Sequence, residues 1–342
     1  MLPKTKNLAR NKLPPVVEAL LKPQAYPHEP QEIELVQTQM SFLFLTGEYV
    51  YKVKKPVNLG YLDYTTLEKR RFFCHQEVEL NNRLCPDAYL GVVAITGEKG
   101  EIHIEGEGST IEYAVKMRQL PQNRMMDVLL LNGQVNQQMA SKVADKLANF
   151  HQKAQTNPEI AAFGRLSAIR QNCDENFVQT EKYIGISIPP AAYNRVKNYT
   201  YDFIRDNSSL FHKRVREGEV KDCHGDLHAA HICFVDDICI YDCIEFNDRF
   251  RYCDVASEVA FLAMDIDRYQ RADLSRHFVN TYVELIHDEE LSKLLDFYKC
   301  YRAYVRGKVE SFKLDDRLIS DDEKAKALEN AQRYFQLAES YI

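Results

Sequence analysis

No stretch of the sequence approaches the roughly 20 consecutive apolar residues of a membrane-spanning helix. A secretory signal is not expected either, since Met1 to Lys12 is basic, is interrupted by Pro3 and has no apolar core. Basic charge is not in excess: 44 Lys and Arg stand against 50 Asp and Glu, and the formal net charge of −6 argues against general nucleic-acid binding. The nine cysteines, an odd number, show no framework spacing and no C-x-x-C pair, which fits a reducing cytoplasm better than a secreted disulfide scaffold. Internal repeats and long low-complexity segments are absent. So are the glycine loops that cradle phosphate, because neither G-x-G-x-x-G nor G-x-x-x-x-G-K-[ST] occurs. Gly47 alone marks an early turn, and the acidic Glu105-Gly106-Glu107-Gly108 reads as an ordinary hairpin tip. A cytoplasmic protein with no membrane and no nucleic-acid partner is expected, and any phosphate binding would rest on lysine and metal.

What is present suffices for a sizeable core: 342 residues with 45% hydrophobic content, 17 Phe and 20 Tyr suggest two domains or two lobes. The pattern changes near Leu120-Pro121. Before it, a short helix from Val16 to Leu21 follows Pro14-Pro15, and Tyr26 to Pro30 reads as a linker. Strands then dominate, at 42–45, 49–54, 89–95, 101–105 and 111–117, interrupted by one helix over 67–84. After Pro121, Met139, Val143, Leu147 and Phe150 recur at helical spacing. The expected organisation is an N-terminal extension over 1–30, a small β-rich lobe over 31–118 and a larger, mainly helical lobe over 119–342. The fold class is α+β.

Chemically capable side chains crowd into Cys223-His224-Gly225-Asp226-Leu227-His228-Ala229-Ala230-His231, followed by Ile240-Tyr241-Asp242. Between them, the apolar runs 232–235 and 238–241 are separated by Asp236-Asp237, a two-residue hairpin signal. With that turn Val235 faces Ile238, Phe234 faces Cys239 and His231 faces Asp242, which places the last two Cβ atoms roughly 5 Å apart, suited to one cation. Asp226, just upstream, can reach the same ion and an incoming hydroxyl. Cys233 and Cys239 lie within apolar strands and are expected to be small buried hydrophobes. Without paired Cys or His spacing, zinc is disfavoured. His224 reads as a structural hydrogen-bonding residue, and His228 has no assigned role.

This loop resembles the H-x-D-x-x-x-x-N catalytic loop of protein kinases and their small-molecule relatives, where the Asp serves as base and the Asn and a strand-end Asp hold magnesium. His231 stands at the Asn position. Because imidazole suits manganese or zinc and magnesium prefers oxygen, three outcomes follow: one metal through Asp242 alone, a preference for manganese, or nucleotide binding without transfer.

Such a site needs a lysine and a glutamate for the nucleotide phosphates. Along Tyr49-Val50-Tyr51-Lys52-Val53-Lys54-Lys55-Pro56, alternation puts Val50, Lys52 and Lys54 on one face. Lys52, inside the apolar run, resembles the V-A-I-K pattern and is favoured, with Lys54 as the alternative. On the lone helix, Phe73, Glu77, Leu80 and Leu84 share a face, which makes Glu77 the inward partner and leaves Glu79 to water. The segment Lys116-Met117-Arg118-Gln119-Leu120 would be the hinge, bringing Met117 and Leu120 to the adenine. Glu245 is read as a supplementary metal or water ligand, or as an anchor for Arg249 or Arg251. Asp254 begins a helix and reads as its cap. Arg302, Arg306 and Lys313 read as a solvated basic face, with contact to an anionic substrate as the alternative.

The loop 223–231, Asp242 with Glu245, and the helix-ending Ala148-Asn149-Phe150-His151 resemble the aminoglycoside phosphotransferase branch of the protein-kinase-like superfamily. Val50 to Pro56, Leu62 to Arg71, Tyr89 to Val93, Val115 to Arg118 and Asp242 to Asp248 extend the likeness to a bacterial group of uncharacterised aminoglycoside-phosphotransferase-like proteins, over about residues 35 to 312. Many members carry a P-loop kinase domain downstream that this sequence does not show. The resemblance implies a two-lobed protein-kinase-like fold and transfer of the γ-phosphate of ATP to a hydroxyl of a small molecule. Asp226 would be the catalytic base, Lys52 and Glu77 would hold the phosphates, and Asp242 with His231 would hold Mg or Mn. A nucleotide-binding pseudokinase or interaction module is the second reading, favoured by His231 and the scant glycine.

Overall fold

The computed structural model describes residues 13–316 and 319–342. The expectation for Met1 to Lys12 lies outside the described residues. The chain divides into two compact units, one of residues 1–129 with 230–248 and one of residues 130–229 with 249–342. The hairpin over 232–240 therefore belongs with the β-rich unit.

The first unit opens with α1 (Pro15–Leu20), started by Pro at its first turn. Three strands follow in a meander, β1 (Glu34–Gln37), β2 (Ser41–Leu45) and β3 (Tyr49–Lys54). The β2–β3 turn places Gly47 at φ 91°, a left-handed backbone that glycine adopts without strain. Helix α2 (Leu67–Asn82) starts at Thr66, whose hydroxyl accepts the Lys69 N–H at 3.2 Å. Strands β4 (Tyr89–Glu98), β5 (Glu101–Ile104) and β6 (Ser109–Arg118) complete an antiparallel sheet in the order β1-β2-β3-β6-β4-β5. β1 is the strand that alternation alone did not reveal.

One face of this sheet is dry. Tyr51, Val53, Phe42, Phe44, Val93, Ile95, Ile104 and Ala114 pack there with Val17, Leu20, Ala25 and Tyr26. The expected extension over 1–30 is thus, from residue 13, part of the lobe's core. Tyr26 caps the contact by donating its hydroxyl to the Leu20 carbonyl at 2.6 Å.

From there the chain runs through α3 (Met126–Leu131), α4 (Gln137–Lys153), α5 (Pro158–Ala161), α6 (Leu166–Thr180), α7 (Pro190–Asp206) and α8 (Ser208–Glu217) to β7 (Val220–Asp222). The hairpin β8 (Ile232–Phe234) and β9 (Ile238–Ile240) then returns to the first unit. After α9 (Asp248–Arg251), β10 (Tyr252–Asp254) pairs with β7, and α10 (Val255–Arg268), α11 (Ala272–Ile286), α12 (Leu291–Phe312) and α13 (Asp321–Glu339) complete the second unit. Residues 255–266 of α10 are buried all round, which makes it the axis on which α11 and α12 pack. Asp254 caps α10 as expected, accepting the Ala256 N–H at 2.8 Å, and also binds Arg214 through both carboxylate oxygens.

Two expectations are corrected in the hairpin region. Cys239 is not a free thiol but is disulfide-bonded to Cys85, 154 residues away, with a Cα–Cα distance of 4.6 Å. Sequence spacing carries no sign of so distant a partner. Cys233, by contrast, is outside this disulfide and buried, as expected. The hairpin pairs Ile232 with Ile240, Cys233 with Cys239 and Phe234 with Ile238, one residue out of the expected register. Its loop is three residues, 235–237, rather than two, so each side chain after the turn changes face. Val235 is consequently exposed. Among the described residues no helix is long and apolar enough to cross a membrane.

Candidate functional site

The open face of the sheet in the first unit carries charge. Alternation along β3 sends Lys52 and Lys54 to the side opposite Tyr51 and Val53, and the inward stripe of α2 delivers Glu77 between them. Glu77 is fully buried and bridges both lysines: Lys52 Nζ lies 2.8 Å from Oε1 and Lys54 Nζ 2.6 Å from Oε2. Lys52 also donates to Asp242 Oδ1 at 2.8 Å. Lys54 also meets Glu245, which accepts the Tyr64 hydroxyl at 2.6 Å. Burial would lower both lysine pKa values, but Asp242 and Glu77 around Lys52, and Glu245 and Glu77 around Lys54, raise them well above the usual range. Burial likewise opposes ionisation of Glu77, and the two lysines prevail and hold its pKa below the usual value. Two lysines and three acidic side chains thus form one connected network.

Asp242 follows β9 at φ 62°, in the left-handed region that Asp tolerates better than most residues. The register correction places His231 opposite Tyr241, whose N–H donates to the His231 carbonyl at 3.0 Å. Even so, His231 Nε2 stands 3.6 Å from Asp242 Oδ2. The backbone here is held from two sides: the Asp242 N–H donates to the Tyr89 hydroxyl at 3.2 Å and the Cys243 N–H to Asn81 Oδ1 at 2.9 Å. The Asp242 side chain is 42% exposed, open enough to take a cation with His231 beside it. One carboxylate and one imidazole form a donor pair that fits manganese, and fits magnesium through the carboxylate.

Met117 and Leu120 lie half-buried in a second apolar cluster with Tyr89, Val115, Met125, Tyr241, Cys233 and Cys239. Within the expected hinge, the Arg118 N–H is taken by the Ala88 carbonyl at 2.8 Å and the Gln119 N–H by the Glu48 carbonyl at 2.9 Å.

In the second unit the loop bearing Asp226 is anchored through its backbone. The N–H groups of His224 and Gly225 donate to the Glu258 carboxylate at 2.7–3.0 Å, and the Ala229 N–H to Asp265 Oδ2 at 2.9 Å. Arg302 Nη1 donates to the Gly225 carbonyl at 3.2 Å. This corrects the expectation of a solvated basic face, since Arg302 is 8% exposed and its guanidinium is consumed by the loop and by Ser257. For Arg306, Tyr334, Asp226 and Asp265 outweigh burial and raise its pKa above the usual range. Lys313 pairs with Glu310. Asp226 is partly exposed, its N–H donates to His224 Nδ1 at 3.3 Å, and His228 Nε2 lies 3.6 Å from Oδ2.

Glu258 is itself oriented by His151 at 2.8 Å, whose other ring nitrogen meets the Tyr282 hydroxyl at 2.6 Å. His151, Cys223 and Glu258 have the composition of a metal group, but their polar atoms already serve these internal bonds and the Cys223 contact with the Cys253 carbonyl. They form a clamp on the loop.

No protein-family model matches the chain. An uncharacterized protein of Mycobacterium tuberculosis (strain ATCC 25618 / H37Rv) is 32% identical over 279 residues, 81% of this chain and 54% of its own length. An uncharacterized protein of Mycobacterium bovis matches to the same extent. The chain therefore spans about half the length of the curated relatives it matches. Among solved structures, an amicoumacin kinase in complex with AMP-PNP, Ca2+ and Ami aligns with a TM-score of 0.50 at 13% identity, over 94% of this chain and 91% of that one. A glucosamine kinase in complex with glucosamine, ADP and inorganic phosphate aligns at 0.50 and 12%, over 89% and 75%. The chain thus shares the two-lobed α+β fold of these two small-molecule kinases.

Within this kinase-like fold the structure brings Lys52, Glu77 and Asp242 into contact and sets His231 beside Asp242. It also shows partners that the sequence did not single out. Glu245 serves Lys54 and Tyr64, whereas Arg249 pairs with Glu175 and Arg251 with Asp222. In sequence Glu258 is one acid within an apolar helix, and its complete burial emerges only in the fold. Asn81, four residues after Glu77, was legible as a polar residue on the buried stripe of α2.

Proposed function

We propose that the chain is an ATP-dependent phosphotransferase acting on a hydroxyl of a small molecule. The observation that carries this is the ion-pair chain Asp242–Lys52–Glu77 in one unit, joined in sequence to a loop in the other unit whose backbone is clamped so as to present Asp226. Lys52, oriented by Glu77, would hold the nucleotide phosphates. Asp226 would orient the acceptor hydroxyl and accept its proton as the phosphoryl group leaves ATP for that oxygen. Asp242, with His231, would hold magnesium or manganese, which when bound neutralises charge on the phosphates. Met117 and Leu120 would border the adenine. A cytoplasmic location belongs to the same proposal and is supported by the odd cysteine count without framework spacing.

The test is a metabolite-pool phosphorylation screen with parent protein and Asp226→Ala. The parent should label at least one hydroxyl compound, and the variant should lose activity by about 10²-fold or more. An Asp226→Ala variant as fast as the parent on that acceptor removes Asp226 from the chemistry. The second reading is a nucleotide-binding module without transfer, favoured by His231 at the metal position. Nucleotide-dependent thermal stabilisation with no phosphorylated product in any pool would select it.

A further inference from the structure

Two lysines of one strand reach the same glutamate, and their surroundings differ. Lys54 is 1% exposed, and its ammonium group faces Glu77 Oε2, Glu245 Oε1 and the Tyr64 hydroxyl. Three acceptors match the three hydrogens an ammonium group can donate, so Lys54 has no donor left for a ligand. Lys52 is 14% exposed at its side chain, donates to Asp242 Oδ1 and is ion-paired with Glu77 Oε1 at 2.8 Å, which leaves at least one hydrogen for another anion.

We infer that Lys54, Glu245 and Tyr64 form a buried positioning set that fixes Asp242 and Glu77, leaving Lys52 as the sole phosphate lysine. The inference rests on the phosphotransferase reading and assigns residues that reading leaves without a role. Glu245 lies three residues beyond Asp242, so its attachment to Lys54 ties the end of the Asp242 segment to β3. The same segment is tied to β4 through Tyr89 and to α2 through Asn81, whose Nδ2 in turn donates to the Glu77 carbonyl at 2.8 Å. Tyr64 is rigid enough to serve, since its N–H donates to the Val57 carbonyl at 2.9 Å, its carbonyl accepts from Arg70 at 2.9 Å and its ring packs on Phe73. Glu245, engaged by Lys54 and Tyr64, is then a tether and not a metal ligand. Lys54 also neutralises part of Glu77, so Lys52 keeps a net positive character toward phosphate.

The experiment compares the parent with Lys54→Met, Glu245→Gln, the Lys54→Met/Glu245→Gln double variant and Lys52→Met. Thermal midpoint, ATP affinity without divalent cation and the magnesium concentration that half-saturates ATP binding are read by scanning calorimetry and titration calorimetry. Lys54→Met leaves a buried carboxylate unpaired and should lower the midpoint most, while the double variant should recover much of the loss. The double variant should still need about fivefold or more magnesium than the parent while keeping metal-free ATP affinity within about twofold. Lys52→Met should weaken metal-free ATP binding by about tenfold or more. A double variant with the parent's magnesium dependence overturns the inference, as does Lys54→Met losing metal-free affinity as strongly as Lys52→Met. A parent that binds no ATP under any condition overturns the phosphotransferase reading together with it.

Discussion

His231 offers an imidazole where the resembling loops carry an asparagine, and its Nε2 stands 3.6 Å from Asp242 Oδ2. An imidazole ligates only when neutral, so a metal site that includes it should weaken as pH falls, whereas an amide oxygen does not titrate. We expect His231→Asn to shift preference from MnATP toward MgATP and to flatten the acid-side decline of metal-dependent ATP binding. Titration calorimetry with each metal between about pH 8 and pH 5.5 checks this. Equal metal preference and equal pH profiles in parent and variant would remove His231 from the metal site.

At the scale of elements, the segment before the sheet matters more than its proline-rich sequence suggests. Val17, Leu20, Ala25 and Tyr26 fill the dry side of the sheet, and Leu20 is fully buried. Leu20→Ala should therefore cost about 2–5 kcal/mol in urea unfolding, a core penalty at a position that reads as an appendage. A loss below about 0.5 kcal/mol would show that the segment is not part of the lobe. Strands β2 to β6 and helix α2 were legible because alternation, the Thr66 cap and the turn glycine all agree there. β1 was not, being four residues with one buried side chain. The hairpin register slipped by one because the acidic pair Asp236-Asp237 reads as a complete turn, while Val235 in fact belongs to the loop. Lys52 and Glu77 could be named as candidates from periodicity because each sits on a regular element, and Asp226 and Asp242 from motif spacing alone. Lys54 with Glu245 and Cys85 with Cys239 could not, because each joins residues more than 150 positions apart, and no local pattern encodes such a meeting.

For the molecule as a whole, the chain crosses between its two units on either side of the hairpin, so Asp226 and Asp242 belong to different cores though only a short stretch of sequence separates them. The proposed phosphotransfer would then depend on the second unit keeping its loop clamped, and that clamp is electrostatic. Burial alone would raise the pKa of Glu258, but the hydrogen bond and charge of His151, with His224 and the Gly225 N–H, hold it down to about 2 from an ordinary 4.5. A carboxylate whose pKa is depressed on folding stabilises the folded state fully above its unfolded value and loses that contribution as pH falls toward its folded value. The window here is from about pH 4.5 down to about pH 2, and the contribution is on the order of 3 kcal/mol for this fully buried group. Urea midpoints measured from neutral pH into that window should fall steeply for the parent. Glu258→Gln should begin lower at neutral pH and lose less on acidification, so that the two curves converge. Parallel curves would mean that Glu258 does not carry the acid sensitivity of the second unit, and that the loop bearing Asp226 is held mainly by Arg302 and Asp265.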